Sequence, residues 1–286
     1  MSRPFFTLDV ENARARNPRV FSDPLSDRLA RGFTWACFAG MTVYCLWTLG
    51  FFDFKRIVDG TAKLFGVVAF MLPPHPQGRM LVFLDALLET LGMAFLGTLL
   101  AALASIPLGF LGAKNVISNP VFHFGLRRIF DFVRGVDALI WALVWINVVG
   151  LGPFAGILAL GVSVSGELAK LFSEAIENVD PKPIEGVRAS GANWVQVVRY
   201  AIFPQVFPVL LSTIFYYFES NTRSATILGI VGAGGIGLQL ADRIRVMAWD
   251  QVSVLILMVL ATVYVIDIVS GKMRRYLIRA PEIREA

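Results

Sequence analysis

Long runs without a charged side chain restrict this chain more than any other feature of its sequence. Thr90 to Ala113 is one such run, and positions 138–166 form another. A helix needs about twenty apolar residues to cross a bilayer. Hydrophobic residues make up 56% of the 286 positions and charged residues 16%, which is too little polar surface for a soluble domain of this size. The sequence therefore predicts an all-α integral membrane protein.

Six transmembrane helices are predicted from these runs. Their ranges are 33–52, 90–113, 131–149, 154–172, 200–218 and 251–271. The third and fourth are separated at Gly150-Leu-Gly-Pro153, because this combination is typical of a turn. Pro107 is expected to kink or end the second helix. No small-residue cleavage site follows the first helix, so we expect it to remain as a membrane anchor.

The distribution of basic residues predicts the orientation. Six spans place both termini on one side of the membrane, together with the 114–130 and 173–199 loops. Counting the adjoining helix ends, nineteen of the 26 lysines and arginines fall on that side. Positive charge collects on the cytoplasmic side, so both termini are expected in the cytoplasm of a bacterial cell with this chain in its inner membrane. The net charge of +5 is explained by these helix ends, without nucleic acid as a partner.

Five segments are expected along the chain. They are a cytoplasmic segment at 1–32, the helix at 33–52, a periplasmic or interfacial segment at 53–80, a membrane core at 81–272 containing the long cytoplasmic loop 173–199, and a cytoplasmic tail at 273–286. Within the 53–80 segment, the apolar stretch from Thr61 to Leu72 is too short to span, so we expect it to lie along the membrane surface.

The stretch from 180 to 204 is predicted to form a short helix, a sharp bend and a second helix. Asp180 is a favourable N-cap, and Pro181 suits the first helical position. Gly191 supplies the bend. This elbow contains no catalytic group. From its residues alone, it could be an interfacial helix that only anchors the loop.

The elbow resembles the signature loop of ABC importer permeases. Glu185, Gly191 and Pro204 stand at the matching positions, whereas Gly186, Val187, Ala201 and Phe203 depart from the family pattern. The resemblance implies a type I importer permease core, here with one extra N-terminal helix, and a coupling helix that docks on an ATPase subunit. The residues expected to couple to the ATPase are Glu185, Gly186, Ala189, Gly191, Phe203 and Pro204.

Three further stretches are similar to phosphonate importer permeases. They are 150–160, 183–193 and 218–237, and the likeness covers about residues 80–270. It implies a path for phosphonate or a related phosphorus oxyanion. Methionine and glycine betaine permeases share the general fold but lack the Glu-Ser-Asn-x-Arg-Ser-Ala-Thr sequence of residues 219–226. They remain an alternative, as do, with less support, a secondary transporter and a membrane enzyme acting on lipid.

The resemblance also implies partners. These are a second permease copy, with a homodimer favoured over a pair of similar permeases, two ATPase subunits that bind ATP and Mg, and a periplasmic substrate-binding protein. No cofactor is expected on this chain, because no lysine precedes Ser or Thr in a P-loop and no metal cluster is evident. The two histidines, His75 and His123, are predicted on opposite sides of the membrane. We therefore expect a non-catalytic subunit.

Residues 219–237 are the candidate gate. Glu219 and Arg223 are four apart and can pair on one helix face. Either they form a structural ion pair, or Arg223 lines an outer gate for an anion. The other expected gate residues are Asn221, Ser224, Thr226, Gly232, Gly234 and Gly235. The glycines match a dinucleotide-binding pattern, but they lie between membrane helices without a βαβ unit, so backbone packing is the better interpretation.

Overall fold

The computed structural model describes residues 25–117 and 119–282, and this part of the chain consists of helices, turns and loops. The helices are α1 (Leu25–Thr48), α2 (Phe54–Phe70), α3 (Met80–Gly112), α4 (Pro120–Gly135), α5 (Ala138–Val149), α6 (Pro153–Glu177), α7 (Pro181–Ala189), α8 (Trp194–Val197), α9 (Phe203–Leu228), α10 (Gly235–Arg245) and α11 (Trp249–Glu282). Two π-helical turns, Val198–Ile202 and Gly229–Ala233, flank α9. Most of the predicted 1–32 segment and the end of the 273–286 tail lie outside the described residues.

The chain divides into two compact units, residues 1–67 and 68–286. In the described part of the first unit, α1 exposes its side chains along nearly its whole length, and many of them are large and apolar. The helix predicted over 33–52 ends at Thr48, because Gly50 adopts a positive φ of 69°. Most of the apolar 61–72 stretch lies in α2, which ends at Phe70.

Several helices in the described residues are long and apolar enough to cross a membrane. Four satisfy this condition alone: Met80–Gly112, Pro153–Glu177, the continuous run Trp194–Ala233, and Trp249–Tyr276. A fifth span results if α4 and α5 are counted together. The all-helical membrane class is therefore confirmed, with four to five candidate spans. Pro107 does not end α3, which continues to Gly112.

The prediction of one uninterrupted helix over 131–149 is wrong, because the chain forms two helices there, α4 and α5. The chain bends by 84° between α4 and α5, so residues on either side of the break point in different directions. The reason lies in local hydrogen bonding. Asp137 is an N-cap whose carboxylate accepts from the Leu139 amide at 2.8 Å, which starts a new helix at Ala138. Gly135 is the last residue of α4.

The second unit is built around the close packing of α3 against α6. Gly97 and Gly109 of α3 lie so near α6 that an added Cβ would approach Leu160 Cβ at 2.7 Å and Phe172 Cβ at 2.6 Å. Ser105 donates its hydroxyl to the Ser165 carbonyl at 2.9 Å between them. Small residues that allow close approach are the usual means of helix association in lipid. The α3–α6 pair is thus a tight internal axis for the unit.

We predict that Gly109→Val separates α3 from α6. The added side chain would overlap Phe172, and overpacking of this kind costs about 1–3 kcal/mol. The thermal unfolding midpoint of the purified protein should fall. Gly92→Val in the same helix is the control, because a Cβ there has nothing within 4 Å. Equal midpoints for the two variants would contradict this account of the packing.

Candidate functional site

The elbow predicted at 180–204 is present, and its local hydrogen bonds explain its shape. The Asp180 carboxylate caps α7 by accepting from the Lys182 amide at 3.0 Å, with Pro181 at the first position. Gly191 has a φ of +82° and reverses the chain. Asn193 and Gln196 then form a reciprocal capping box that starts α8, with bonds of 2.8 and 3.0 Å. Each turn in the elbow is therefore fixed by a specific polar contact.

Gln205 ties the beginning of the elbow to the helix that leaves it. Its carbonyl oxygen accepts from the Asp180 amide at 3.0 Å, and its amide group donates to the Ala201 carbonyl at 2.8 Å. Below this clip, Ile184 and Val187 pack against a buried cluster that includes Ile202. The elbow is consequently held to α9 by both polar and apolar contacts.

The predicted coupling residues lie on the free surface of this elbow. All six are exposed in the single chain: Glu185, Gly186, Ala189, Gly191, Phe203 and Pro204. Arg188 also faces outward, with its guanidinium 5.7 Å from the centre of the Trp194 ring. The elbow thus presents a small, mixed apolar and polar face with its backbone already satisfied, which is suitable for docking a partner.

Ion pairs fix α4 to α6 near the elbow. Arg127 bonds Glu177 at 2.9 Å, and Lys170 bonds Asp131 at 2.8 Å. A cavity of about 300 Å³ lies beside them. It is lined by Arg134, Glu167, Lys170, Leu171, Glu174 and Tyr217. The lining includes two cations and two carboxylates, so the charges around the cavity largely compensate one another.

At the other end of α9, the glycine-rich stretch forms a compact turn. The α9 chain passes through the π-helical turn at Gly229–Ala233 and reverses into α10. Gly229 and Gly237 meet face to face, and a Cβ on Gly237 would overlap the Thr226 carbonyl oxygen. Gly232 has a φ of +110°, which a residue with a side chain rarely adopts. Backbone packing therefore accounts for these glycines, as the sequence predicted.

Neighbouring helices hold this glycine turn, which we define as residues 229–237. The Gly232 carbonyl accepts from the Gly152 amide at 3.1 Å, which joins it to the loop before α6. The Ile236 amide donates to the Thr90 hydroxyl of α3 at 2.8 Å. The remaining predicted glycines, Gly234 and Gly235, lie against Glu89 and Thr90. The turn therefore rests on both members of the α3–α6 pair.

Between the elbow and the glycine turn, α9 carries polar side chains inside its span. The helix predicted over 200–218 continues to Leu228, so the 219–226 sequence is helical throughout. Asn221 is buried and donates to Thr98 of α3 at 2.8 Å. The Thr226 hydroxyl donates to the Thr222 carbonyl at 3.1 Å, and Ser224 is half-buried. Asn221 thus joins α9 to α3, while the side chains of Ser224 and Thr226 are partly exposed.

The predicted pairing of Glu219 with Arg223 is confirmed, and a third charged residue joins it. Glu219 is buried, and its Oε1 lies 3.3 Å from Arg223 Nη1. Its other oxygen, Oε2, lies 3.1 Å from Nη2 of Arg274, which belongs to α11. The Arg274 guanidinium also lies 5.8 Å from the centre of the Tyr216 ring. One carboxylate therefore holds two guanidinium groups from two helices.

Arg223 faces away from the helix bundle of the single chain. Its side chain is 49% exposed although it lies within the Trp194–Ala233 span. An arginine at the centre of a lipid-facing helix costs about 2.5–3.5 kcal/mol even on the mildest scale. This exposed face of α9 is therefore unsuited to lipid, and suited to a watery path or to another protein surface.

Sequence reasoning did not identify Arg274, Gln205, Thr90 or Thr98. Arg274 was assigned to the tail after the last helix, but α11 continues through it to Glu282. The available signal was the arginine itself, three residues after the predicted helix end at Gly271, but its partner is 55 positions away. Such a contact depends on how two helices pack, which periodicity does not specify.

Comparison with known families agrees with this architecture. Residues 105–281 match the family model described as binding-protein-dependent transport system inner membrane component. The match includes the elbow, α9, the glycine turn and most of α11. The chain belongs to this permease family.

Relatives of the permease carry names that refer to phosphorus oxyanions. It is 34% identical over 237 residues to a phosphite transport system permease protein of Stutzerimonas stutzeri, covering 83% of this chain and 86% of that one. It is also 34% identical over 262 residues to a phosphate-import permease protein of Mycolicibacterium smegmatis, covering 90% of this chain and 48% of the relative. Both alignments extend well beyond the elbow.

A solved structure supports the fold of the permease. An inward-facing methionine ABC transporter chain superposes with a TM-score of 0.63 and 22% sequence identity, covering 71% of this chain and 99% of that one. At this level of identity the likeness concerns the fold alone. The architecture is therefore that of type I ABC importer permeases.

We predict that Gly237→Ala loosens the glycine turn of the permease. The new Cβ would meet the Thr226 carbonyl, a backbone atom that cannot rotate away. Hydrogen–deuterium exchange of amides in 229–245 should accelerate about tenfold or more, because less free energy is needed to open the turn. Gly271→Ala, where a Cβ has nothing within 4 Å, should leave exchange in 229–245 at the wild-type rate. Unchanged exchange in Gly237→Ala would show that the turn tolerates the overlap.

Proposed function

We propose that this permease forms half of the path by which an ABC importer carries phosphonate, or a related phosphorus oxyanion, across the inner membrane. The observation that carries the proposal is the 34% identity to a phosphite permease over 83% of the chain. The two arginines beside Glu219 are consistent with it, because guanidinium groups pair well with phosphorus oxyanions. A separate ATPase supplies the energy, and this chain itself carries out no catalysis.

The proposed arrangement in the membrane has six spans. The α1 helix is an extra N-terminal span, α4 and α5 together make one broken span, and α3, α6, α9 and α11 make the rest. Both termini are cytoplasmic, so the elbow is cytoplasmic and the glycine turn faces the periplasm. Three expected segments are retained: 1–32 cytoplasmic, 53–80 periplasmic or interfacial, and 81–272 the permease core. The tail expected at 273–286 begins inside α11, so its first residues, including Arg274, belong to that helix.

The elbow is proposed as the coupling helix. Two permease copies would assemble with two ATPase subunits that bind ATP and Mg, and each elbow would dock on one ATPase through Glu185, Gly186, Ala189, Gly191, Phe203 and Pro204. The exposure of all six residues supports this role. When the ATPases close on ATP, the elbows approach each other. Because the Gln205 clip joins elbow and helix, α9 follows that movement.

The proposed gate lies along the far half of α9. Glu219, Asn221, Arg223, Ser224 and Thr226 form its helical part. The glycine turn closes it with Gly232, Gly234 and Gly235. A substrate-binding protein would deliver the ligand on the periplasmic side. Movement of α9 would then open the path alternately to the two sides of the membrane.

A methionine or glycine betaine substrate is less well supported. A probable D-methionine permease of Haemophilus influenzae is 30% identical over 54% of this chain, whereas the phosphite permease is 34% identical over 83% of it. Glu219 and Arg223 are the two charged side chains of the 219–226 sequence, and both belong to the ion cluster with Arg274. The sequence that sets this chain apart from those permeases therefore coincides with this cluster. A self-contained secondary transporter would not need an exposed elbow of this kind.

Reconstitution tests the proposed function. The permease is placed in nanodiscs with the ATPase and binding protein encoded beside it, and ATP hydrolysis is measured with phosphite, methylphosphonate, 2-aminoethylphosphonate or methionine. Stimulation by phosphorus oxyanions with binding protein is expected. Stimulation by methionine alone would contradict the proposed substrate class and support methionine as the substrate. Failure of the permease to bind the ATPase would contradict the coupling role proposed for the elbow.

We predict that Glu185→Ala and Gly191→Val uncouple ATP hydrolysis from uptake while the permease still inserts. The first removes an exposed carboxylate from the docking face, and the second places a β-branched residue at a φ of +82°. Uptake per ATP hydrolysed should fall about tenfold, the loss expected for an interface contact worth about 1.4 kcal/mol. Gly125→Val on exposed α4 is the control, since a Cβ there has nothing within 4 Å. Normal stoichiometry in both elbow variants would contradict the assignment.

A further inference from the structure

The ion cluster of Glu219, Arg223 and Arg274 carries an unbalanced positive charge. Two guanidinium groups share one carboxylate, which leaves a net charge of +1 within the spans Trp194–Ala233 and Trp249–Tyr276. The cluster touches the bundle core, because Asn221, two residues from Glu219, is bonded to Thr98. An uncompensated charge in a membrane span is costly and marks a functional group more often than a structural one.

Both arginines retain unused donors. Arg223 contacts one carboxylate oxygen through Nη1, and Arg274 contacts the other oxygen through Nη2. Among the described residues, each arginine makes a single hydrogen bond to Glu219, whereas a guanidinium group has five N–H donors in a planar fork. The remaining donors are available for a second acceptor. A tetrahedral phosphorus oxyanion presents two or three oxygens at the spacing that such a fork matches.

Access to these donors is from the exposed face of α9. The Arg223 side chain is 49% exposed and that of Arg274 is 27% exposed, while that of Glu219 is only 10% exposed. The carboxylate is therefore at the back of the cluster and the guanidinium groups are toward the front. A charged front of this kind does not suit lipid, so it is suited to a watery path or to another protein surface.

We propose that Arg274 and Arg223 together form an oxyanion subsite on the transport path, with Glu219 as the residue that positions them. The phosphorus oxyanion binds in front of the carboxylate and accepts from the free N–H groups of both arginines. The Tyr216 ring, against which Arg274 lies, keeps that guanidinium in place. The last helix of the permease thereby contributes directly to substrate recognition, and two copies bring two such subsites to one path.

Glu219 gives the subsite its intermediate strength. Without it, two free cations would hold a dianion too firmly for rapid release. With it, the net charge of +1 attracts the anion but does not trap it, as conduction through a binding site requires. This inference rests on the proposed function, because it specifies where along the permease path the phosphorus oxyanion binds.

The experiment separates binding at this subsite from capture by the binding protein. The permease–ATPase complex in nanodiscs, without binding protein, is titrated with methylphosphonate, and line broadening of the ³¹P resonance reports the bound fraction. Arg274→Gln should weaken binding about tenfold or more, the loss of one charge-assisted contact. Glu219→Gln should act in the opposite direction, with tighter binding and a lower maximal uptake rate.

Arg275→Gln is the matched control, because Arg275 is the exposed neighbour of Arg274 and lies outside the cluster. If Arg274→Gln fails to assemble, Arg274→Lys keeps the charge but loses the fork, and several-fold weaker binding is expected. Wild-type binding in Arg274→Lys together with Arg223→Lys would overturn the subsite. So would weaker binding in Glu219→Gln, which a purely structural ion pair predicts.

The wild-type complex distinguishes the two proposals. If it shows ligand-stimulated ATP hydrolysis with its binding protein but does not broaden the methylphosphonate resonance, the subsite is wrong and the importer function stands. If no phosphorus oxyanion stimulates hydrolysis while methionine does, the proposed substrate class is wrong. If methanesulfonate reduces the broadening as effectively as phosphite does, the cluster attracts anions in general. That result would overturn specific recognition of phosphorus oxyanions.

Discussion

The contact between α3 and α6 determines where every functional part of the permease can lie. Glycines 97 and 109 allow the two helices to approach closely, and the Ser105–Ser165 bond pairs polar groups that lipid could not satisfy. Thr90 and Thr98 of α3 then supply acceptors for the glycine turn and for Asn221. The α3 helix therefore fixes α9 at Asn221 and the glycine turn at Ile236. A shift of α3 would displace both points together.

Local sequence chemistry predicted the elbow well. Asp180, Pro181 and Gly191 act through backbone geometry within a few residues, so their effect can be inferred without knowledge of the fold. The 84° break between α4 and α5 was missed although Asp137 is itself a good capping residue. Apolar periodicity continued through the break and concealed it. A capping residue inside an apolar run therefore deserved more weight than the run's length.

The cluster at Glu219 could be only half predicted. Its contact with Arg223 follows from a spacing of four on one helix, whereas its contact with Arg274 joins residues 55 positions apart. The length of α9 and the continuation of α11 through its basic end decide that second contact. Neither was evident, because charged residues were taken as the ends of spans. In this chain they lie within helices and find partners there.

The run from Trp194 to Ala233 has a mechanical consequence. It comprises 40 residues, or about 60 Å at 1.5 Å per residue, and it connects the elbow directly to the glycine turn. A rod of that length magnifies small angles, so that one degree of tilt about one end displaces the other by about 1 Å. The π-helical turns at either end are the places where such a lever can yield. Small movements at the elbow are thus sufficient to alter ångström-scale clearances at the glycine turn.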